Sequence, residues 1–276
     1  MAVPAPAWRR LLDLWGFVPG YAEPHERVHF AARDGVRIAA VYLPGPAAAA
    51  PALVIAPGFG AFAAKPRYAY LAERLSATHA VLVLDPRGHG QSGGACTFGD
   101  REALDVRAGA AWLRCRGHAW IAAVGMSMGA TAAIRAAGSG GMGVFDALVT
   151  VSAAAVWVPD ESPATRLLTR LASRPLSRGA ARLLMRTRIA ARFADDLPTP
   201  LEVITKVPGV PLLVVHGADD HFFGQHHAHR LAGASIGETA LWLEPSFGHA
   251  EDGITGAFAE RLAAALTAIR ERGRWA

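Results

Sequence analysis

Residues Gly125 to Gly129 read Gly-Met-Ser-Met-Gly, the pattern in this chain best suited to covalent chemistry. An apolar run before it, Ile121 to Val124, predicts a strand, and a helical pattern begins after it at Ala130. In such a strand-turn-helix arrangement the turn has no room for side chains at either glycine, and the serine oxygen projects from the strand end. The backbone N–H of Met128, at the helix N-terminus, is placed to bind an oxyanion. The spacing therefore predicts a nucleophile at Ser127.

Two later segments offer the base and the acid that a serine nucleophile needs, because a serine hydroxyl reacts poorly until an oriented base removes its proton. The strand pattern Leu212 to Val215 is followed by His216-Gly217-Ala218-Asp219-Asp220. A second strand pattern, Ala240 to Leu243, is followed by Gly248-His249. The chain order serine, aspartate, histidine is the one that accompanies this serine motif in enzymes. His249 is therefore the candidate base, with an aspartate at position 219 or 220 as the candidate acid.

Alternating strands and helices must position these residues. Helical patterns such as Asp100 to Arg116 and Ala130 to Ala137 lie between short β-branched and leucine-rich runs. Continuous apolar strands that alternate with helices predict an α/β fold with a mainly parallel sheet covered on both faces. Asp34-Gly35 predicts a hairpin that adds antiparallel strands at one edge. The predicted strands are Val28 to Phe30, Val36 to Tyr42, Leu53 to Ala56, Val81 to Leu84, Ile121 to Val124, Ala147 to Val151, Leu212 to His216 and Ala240 to Leu243.

One segment of about fifty residues, 158–207, interrupts the alternation. It contains no strand pattern, and its helical spacing is broken by Pro163, Pro175, Pro198 and Pro200. Ordinary connections between core strands are much shorter than this. We therefore predict that residues 158–207, called the helical insertion below, form a helical structure with a function of its own.

These motifs together resemble the α/β-hydrolase superfamily over nearly the whole chain from about Val28 onwards. The resemblance rests on the serine motif, on His216-Gly217-x-x-Asp220 and on Gly248-His249. It also rests on Asp85 to Ser92, which is similar to the Asp-x-Arg-Gly-x-Gly-x-Ser turn of that family. The resemblance implies a single domain over residues 1–276, with a central sheet of about eight strands flanked by helices. It also implies that the helical insertion is a cap, or lid.

The resemblance also implies roles for individual residues. Ser127 would be the nucleophile on an elbow formed with Gly125 and Gly129, and His249 would be the base. The spacing of the family favours Asp220 over Asp219 as the acid. The His-Gly-x-Gly loop of the family corresponds to Pro57-Gly58-Phe59-Gly60, in which proline replaces histidine. The backbone N–H groups of Phe59 and Met128 would form the oxyanion hole.

The implied activity is hydrolysis of a carboxylic ester through an acyl-enzyme intermediate, with no metal and no organic cofactor. Apolar residues near the expected site, Phe59, Phe62 and Trp157, favour a small or medium hydrophobic acyl group. Thioesterases, acyltransferases and peptidases use the same triad, because fold and triad do not determine the leaving group. A binding protein that keeps the fold without catalysis is an alternative of another class, and Pro57 in the oxyanion loop keeps it open.

Two other kinds of site have weaker sequence support. Gly58 to Ala63 reads Gly-x-Gly-x-x-Ala after a strand, with Asp85 at the end of the next strand, which is a weak dinucleotide-binding pattern. Pro66 and the turn at Pro86 to Gly88 argue against it. A group of four histidines lacks the spacing of a closed zinc site, so we expect solvated side chains there. These histidines are His221, His226, His227 and His229.

The charge of the chain is concentrated in one segment. The formal net charge is +5, yet residues 162–194 contain eight arginines and no Asp or Glu, so the remaining residues carry −3. A basic charge confined to one segment argues against a nucleic-acid-binding protein. We expect a solvated basic face on a lid whose apolar side covers the pocket. The less favoured alternative is that the basic side attracts an anionic substrate or an acidic membrane surface. The arginines are Arg166, Arg170, Arg174, Arg178, Arg182, Arg186, Arg188 and Arg192.

Features of the chain ends and cysteines bear on location. Two cysteines, Cys96 and Cys115, have no metal-ligand spacing, which is typical of reduced thiols in a reducing compartment. The N-terminal residues lack the pattern of a signal peptide. We therefore predict a cytoplasmic protein. An apolar stripe, formed by Trp8, Leu11, Leu12 and Trp15, predicts an N-terminal helix that packs on the domain or the lid.

Overall fold

The computed structural model describes residues 20–139, 143–157, 160–207 and 209–276. The predicted N-terminal helix lies outside the described residues. An eight-stranded sheet forms the centre of the molecule, with the strand order β1-β2-β4-β3-β5-β6-β7-β8. The strands are β1 (Glu26–Ala31), β2 (Arg37–Leu43), β3 (Ala52–Ala56), β4 (Ala80–Asp85), β5 (Ile121–Met126), β6 (Ala147–Val151), β7 (Leu212–Gly217) and β8 (Thr239–Glu244).

Strand directions confirm the predicted mainly parallel sheet. Strand β2 pairs antiparallel with both β1 and β4, whereas the pairs from β4 to β8 are all parallel. Asp34-Gly35 forms the turn of the β1–β2 hairpin at the edge, where Gly35 adopts a φ of 78°. Because parallel strands all end at the same edge, the segments that follow β3, β5, β7 and β8 lie side by side.

Helices cover both faces of this sheet. Alternate residues of each strand face opposite sides: Val81 and Val83 pack in one apolar cluster, and Leu82 and Leu84 pack in the other. Helices α1 and α8 cover the first face, and α2, α3, α6 and α7 cover the second. The helices are α1 (Pro66–Ser76), α2 (Glu102–Cys115), α3 (Met128–Gly138), α4 (Pro163–Ser173), α5 (Pro175–Leu184), α6 (Pro200–Ile204), α7 (His226–Ala234) and α8 (Gly256–Arg272).

The helical insertion contains α4, α5 and α6 among its described residues, 160–207. Ser162 caps α4 by accepting a hydrogen bond from the Thr165 N–H at 3.0 Å. Arg174 is extended between the two helices, with φ −104° and ψ 131°, because Pro175 cannot continue α4. This confirms the predicted break at Pro175. Gly179 lies inside α5, and the helix tolerates it.

The apolar side of α5 faces solvent, which corrects the expectation that it covers the pocket. Leu176 is 91% exposed, Leu183 is 67% exposed and Leu184 is 55% exposed. Ala181, on the opposite side of the helix, is the buried residue of α5. Helical periodicity shows that two faces differ in polarity, but it does not determine which face packs inward. In the part of the chain that the structure describes, no helix is long and apolar enough to cross a membrane.

Candidate active site

The turn after β5 holds Ser127 in a conformation that few residues adopt. Its φ is 52° and its ψ is −115°, in a left-handed region that is strained for a residue with a side chain. A Cβ at Gly125 would collide with the backbone of Gly129 and Ala130. A Cβ at Gly129 would collide with the carbonyl oxygen of Ala56 in β3. The two glycines therefore allow the close approach of strands and helix that the tight turn requires.

Three side chains meet at the carboxyl edge of the sheet. His249 Nε2 lies 2.8 Å from Ser127 Oγ, and His249 Nδ1 lies 2.9 Å from both carboxylate oxygens of Asp220. The Asp220 side chain is fully buried, and the His249 side chain is 11% exposed. An ionised carboxylate accepts hydrogen bonds only, so Nδ1 carries the proton and Nε2 accepts the proton of the serine hydroxyl. The structure therefore brings together Ser127, His249 and Asp220 with the polarity that a serine nucleophile requires.

Backbone hydrogen bonds hold Asp220 in the loop after β7. Its Oδ1 accepts from the N–H groups of Phe222 at 2.8 Å and Phe223 at 3.1 Å. Burial raises the pKa of Asp220, but the hydrogen bond from His249 and these two N–H groups outweigh it, and the pKa lies below its ordinary value. Asp219 is exposed and only its backbone contacts the loop after β8. Asp220 is thus the aspartate in contact with His249.

The loop after β8 is anchored on both sides of His249. Ser152 Oγ accepts a hydrogen bond from the Ala250 N–H at 2.9 Å, which joins this loop to the end of β6. Asp252 accepts from the N–H of His249 at 3.2 Å. The Phe222 ring lies against the imidazole, with ring centroids 4.3 Å apart. These contacts restrict the imidazole to a position between the serine and the aspartate.

The two predicted oxyanion donors, the N–H groups of Phe59 and Met128, lie on segments next to Ser127. The Gly58 carbonyl accepts from the Ala61 N–H at 3.2 Å, which orients the peptide unit that carries the Phe59 N–H in the opposite direction. Gly58 lies beside the nucleophile, since a Cβ there would lie 3.4 Å from the Ser127 Cβ. The Met128 N–H is the first of α3, so no turn of that helix precedes it to accept its hydrogen bond. Both N–H groups therefore belong to segments that meet at Ser127.

Two side chains that sequence reasoning did not assign to the site hold the oxyanion loop. His89 Nδ1 donates to the Arg87 carbonyl at 3.0 Å, so its Nε2 accepts from the Gly60 N–H at 3.0 Å. Burial lowers the pKa of His89 to about 4, which keeps this acceptor neutral. Tyr68 accepts from the Gly58 N–H at 3.1 Å and donates to Glu251 at 3.1 Å. His89 therefore supports a loop in which Pro57 replaces the histidine of related sequences.

The contacts of Asp85 argue against dinucleotide binding. The Ala63 and Gln91 N–H groups donate to its two carboxylate oxygens at 2.9 and 2.8 Å, so the carboxylate is not free for a ribose. The next helix begins at Pro66, after the glycine loop, so its N-terminus does not open from the glycines as a phosphate site requires. Asp85 is the first residue of the turn that ends at Ser92, and its carboxylate connects this turn to the segment that follows the oxyanion loop.

Arg87 forms its ion pairs with elements outside its own turn. Its guanidinium forms ion pairs at 2.7 Å with Asp34 in the edge hairpin and with Asp105 in α2. The Arg87 and Asp105 side chains are almost fully buried. A buried cation is stable only when carboxylates pair with it, so this group ties three elements together and is not a second catalytic centre.

The histidines after β7 differ from the predicted solvated group in one member. His227 is fully buried, while His221, His226 and His229 are exposed. Within the described residues, Glu161, His226 and His227 place possible ligand atoms within 4.8 Å of one another. However, His227 Nδ1 accepts from the Ala155 N–H at 3.0 Å, so its Nε2 carries a proton and donates to Glu161 at 2.7 Å. A protonated nitrogen cannot bind a metal ion, so this arrangement fits a hydrogen bond.

Aromatic rings border the reactive groups on both sides. On the side of the oxyanion loop, Phe59 stacks on Phe98 with ring centroids 4.9 Å apart, and Phe98 contacts Phe193 of the helical insertion. On the side of the imidazole, Phe223 contacts both His249 and Trp157. Aromatic rings therefore lie both on the segment of Phe59 and beside the imidazole of His249.

Comparisons with known proteins agree with this architecture. The family described as "Serine aminopeptidase, S33" matches residues 47–199, which include Ser127 and more than half of the chain. No curated protein is significantly similar in sequence.

Three solved structures illustrate the similarity in fold. The Pyrococcus furiosus esterase Pf2001 is 20% identical with a TM-score of 0.69, over 96% of this chain and 97% of that chain. DcsB, solved in complex with its substrate analogue, is 18% identical with a TM-score of 0.71, over 90% and 99%. The esterase RhEst1 from Rhodococcus sp. ECU1013 is 18% identical with a TM-score of 0.65, over 87% and 98%. Because each identity is low, these likenesses concern the fold. The chain belongs to the serine aminopeptidase S33 family of the α/β-hydrolase superfamily, and it is a hydrolase.

Proposed function

We propose that this hydrolase cleaves carboxylic esters of small or medium hydrophobic acyl groups, with Ser127 as nucleophile, His249 as base and Asp220 as acid. One observation carries the proposal: an unbroken hydrogen-bonded chain runs from Ser127 Oγ through His249 to Asp220. In this proposal the Ser127 oxygen, where the hydrogen bonds begin, lies between the N–H groups of Phe59 and Met128. That combination is the requirement for acyl transfer through a serine ester.

In the first half of the proposed reaction, the Ser127 oxygen attacks the ester carbonyl carbon while its proton passes to His249 Nε2. The carbonyl oxygen becomes an oxyanion that accepts hydrogen bonds from the two N–H groups. The imidazolium then protonates the departing alkoxide, and the acyl group stays on Ser127. Asp220 stabilises the imidazolium through Nδ1, and its lowered pKa keeps it ionised for this purpose.

In the second half, water takes the place of the alcohol. His249 Nε2 accepts a proton from the water, whose oxygen attacks the acyl carbonyl carbon and forms a second oxyanion. Collapse of that intermediate breaks the bond to Ser127 Oγ, which recovers its proton from His249. The products are the free acid and the unmodified serine. Every proton moves through the imidazole, so this reaction needs no cofactor.

The substrate class rests on the surroundings of the serine. Phe59, Phe98, Phe222 and Phe223 border it, and apolar surface of this kind favours an acyl chain over a charged group. Two of the similar structures are esterases by their names, which supports the same class. The helical insertion contributes Phe193 to this border. We therefore propose that the helical insertion acts as a lid over the acyl site.

A peptidase is the second candidate, because the family description names an aminopeptidase. Such an enzyme needs a carboxylate to bind the α-ammonium group of its substrate. Near the triad, Glu161 and Glu251 are hydrogen-bonded within the protein, and the exposed Asp219 is the carboxylate that remains for this role. Turnover of amino-acid p-nitroanilides that Asp219→Asn reduces would favour this candidate.

A series of p-nitrophenyl esters tests the main proposal. Acetate, butyrate, octanoate and palmitate esters should be compared by kcat/KM, with Ser127→Ala as the inactive control. We expect kcat/KM to peak at butyrate or octanoate, because the aromatic border rewards added methylene groups until the site is filled. Equal rates for all four esters, or no turnover above that of Ser127→Ala, would contradict the proposed substrate class.

A further inference from the structure

Helix α5 presents its apolar stripe to solvent. Its exposed positions repeat at intervals of three and four residues, which is the spacing of one complete helical face. A Cβ at Gly179, in the middle of that face, would meet nothing within 4 Å. Ala181 is the residue of α5 that is buried instead. The exposed face consists of Leu176, Gly179, Ala180, Leu183 and Leu184.

Helix α4, directly before α5 in the chain, also carries an exposed leucine between arginines. Leu167 is exposed, and Arg166 and Arg170 on either side of it are exposed as well. We call this surface the leucine–arginine face: its apolar residues are Leu167, Leu176, Leu183 and Leu184, and its basic residues are Arg166, Arg170, Arg174 and Arg182. Several exposed leucines accompanied by exposed charged residues are typical of an interaction site.

The basic residues of this face have no acidic partner among residues 20–139, 143–157, 160–207 and 209–276. None of the four forms an ion pair there, and Arg166 donates only to the Asp160 backbone carbonyl. Residues 162–194 contain no Asp or Glu, while the remaining chain carries −3. Positive charge is therefore concentrated in the segment that carries the leucine–arginine face, whereas the rest of the chain carries a net negative charge.

We propose that the leucine–arginine face binds the surface of an anionic phospholipid bilayer. The leucines enter the apolar layer below the headgroups, and the arginines form charge-assisted hydrogen bonds with the phosphates. A second copy of the chain fits less well, because a two-fold contact through this face would place arginines against arginines. A nucleic acid would leave the leucines in water.

The helical insertion, which carries the leucine–arginine face, also contacts the loops around Ser127. Met185, directly after α5, lies against Gly60 of the oxyanion loop, where a Cβ would collide with its side chain. Phe193 of the helical insertion contacts Phe98. A bilayer at the leucine–arginine face would therefore lie beside the residues that border Ser127. The inference concerns binding alone, so it does not depend on the proposed ester substrate.

Co-sedimentation of the full chain with vesicles tests the inference. Vesicles of phosphatidylglycerol and phosphatidylcholine should be compared with vesicles of phosphatidylcholine alone, at low and high salt. We expect binding to the anionic vesicles that falls as salt rises. Ser127→Ala should bind as the native chain does, so the result is separate from any failure of the proposed activity.

Substitutions on the face and matched substitutions elsewhere sharpen the test. Leu176→Ser with Leu183→Ser should weaken binding about tenfold for each leucine that enters the bilayer. Arg170→Gln, Arg174→Gln and Arg182→Gln should weaken it about fivefold for each arginine. The matched controls, which leave binding unchanged, are Ile236→Ser, an exposed apolar residue outside the face, and the combination Arg230→Gln, Arg272→Gln and Arg274→Gln.

Several results would overturn the inference. One is failure of the native chain to bind anionic vesicles at low salt. Another is equal binding by the native chain and the double serine variant, or equal losses in the control variants. A third is concentration-dependent self-association that Leu176→Ser abolishes, without vesicle binding, which would assign the face to a contact between copies. Because the substituted leucines are exposed, thermal unfolding should confirm that each variant is folded.

Discussion

Two regions of the molecule are built in opposite ways. One is the carboxyl edge of the sheet with Ser127, Asp220 and His249, called the catalytic edge after the proposed reaction. The other is the helical insertion. At the catalytic edge, polar groups are buried and bonded: Asp220 accepts from two backbone N–H groups as well as from His249. In the helical insertion, apolar groups are exposed, and arginines such as Arg170 and Arg182 point to solvent without a carboxylate partner among the described residues.

This difference distinguishes side chains whose contacts stabilise the fold from side chains that stay exposed and are available to a partner. Buried polar groups need complete hydrogen bonding, so the loops of the catalytic edge have one stable arrangement. Exposed leucines of α5 contribute little to the stability of the folded chain, because their surface stays in water. The catalytic edge therefore has the rigidity that the proposed reaction requires, whereas the helical insertion exposes the apolar and basic groups that the proposed bilayer contact would use.

The largest effect that distinguishes the two regions should come from Asp220→Asn. An amide holds the wrong tautomer of His249 and removes the charge that stabilises the imidazolium, so kcat should fall about 10⁴-fold. The matched control is Asp219→Asn, which changes an exposed neighbour and should alter kcat for a p-nitrophenyl ester less than twofold. Comparable losses in the two variants would show that the contact between Asp220 and His249 is not the catalytic one.

Lowering the pH should reduce the free energy of unfolding through buried histidines outside the helical insertion. Residues 162–194 of the insertion contain no histidine, Asp or Glu, so their charge should not change. Burial lowers the pKa of His79 and of His89 to about 4. Below pH 6.5 the unfolded chain takes up protons that the folded chain does not, so stability falls as pH falls towards 4. Each group should remove about 2 to 3 kcal/mol of unfolding free energy between pH 7.5 and 4.5.

Urea unfolding at these two pH values measures that loss. In His89→Gln the difference between pH 7.5 and pH 4.5 should shrink by the contribution of one histidine, whatever the stability of the variant at pH 7.5. An unchanged difference would mean that His89 titrates normally in the folded protein and does not hold the oxyanion loop as a neutral acceptor.

A smaller effect should follow from the support that His89 gives to the oxyanion loop. His89→Leu removes the acceptor of the Gly60 N–H, and the resulting movement of the Phe59 N–H should lower kcat about tenfold or more with little change in KM. His89→Gln places an amide oxygen near the former Nε2 and should recover most of kcat. Equal activity of both variants and the native chain would exclude a positioning role.

The smallest effect on soluble substrates should come from the leucine–arginine face. Leu176→Ser with Leu183→Ser should change kcat/KM for p-nitrophenyl butyrate less than twofold, because neither side chain contacts the catalytic loops. The melting temperature should not fall, since both leucines are exposed in the folded chain. A large loss of activity in solution would show that these leucines fold onto the pocket, which would erase the contrast between the two regions.

Sequence alone predicts the sheet well because buried parallel strands are continuous apolar runs, and all eight runs form strands. The turn at Ser127 is also predictable, because its glycine pattern is local. The contacts of Gly125 lie within a few residues, although Gly129 is required by the approach of Ala56 in β3. Helix α1 begins at Pro66, a position that favours proline, although the sequence pattern there did not indicate a helix clearly.

Other features depend on contacts between distant residues. Tyr68 and Glu251 are 183 residues apart, and nothing local in the chain indicates their hydrogen bond. The role of His89 depends on the direction of its ring, which the turn motif does not determine. The outward direction of Leu176 depends on the packing of the whole helical insertion. A periodic pattern identifies two faces of a helix, but tertiary packing decides which of them is buried.

Intact-mass analysis after reaction with a fluorophosphonate tests the central claim most directly. The reagent phosphonylates a serine only when a base has activated it, so it reports the state of Ser127 without any assumption about the substrate. We predict a single adduct on the native chain and none on Ser127→Ala. A native chain that is folded yet forms no adduct, or a Ser127→Ala variant that is labelled equally, would contradict the claim that Ser127, His249 and Asp220 form a working triad.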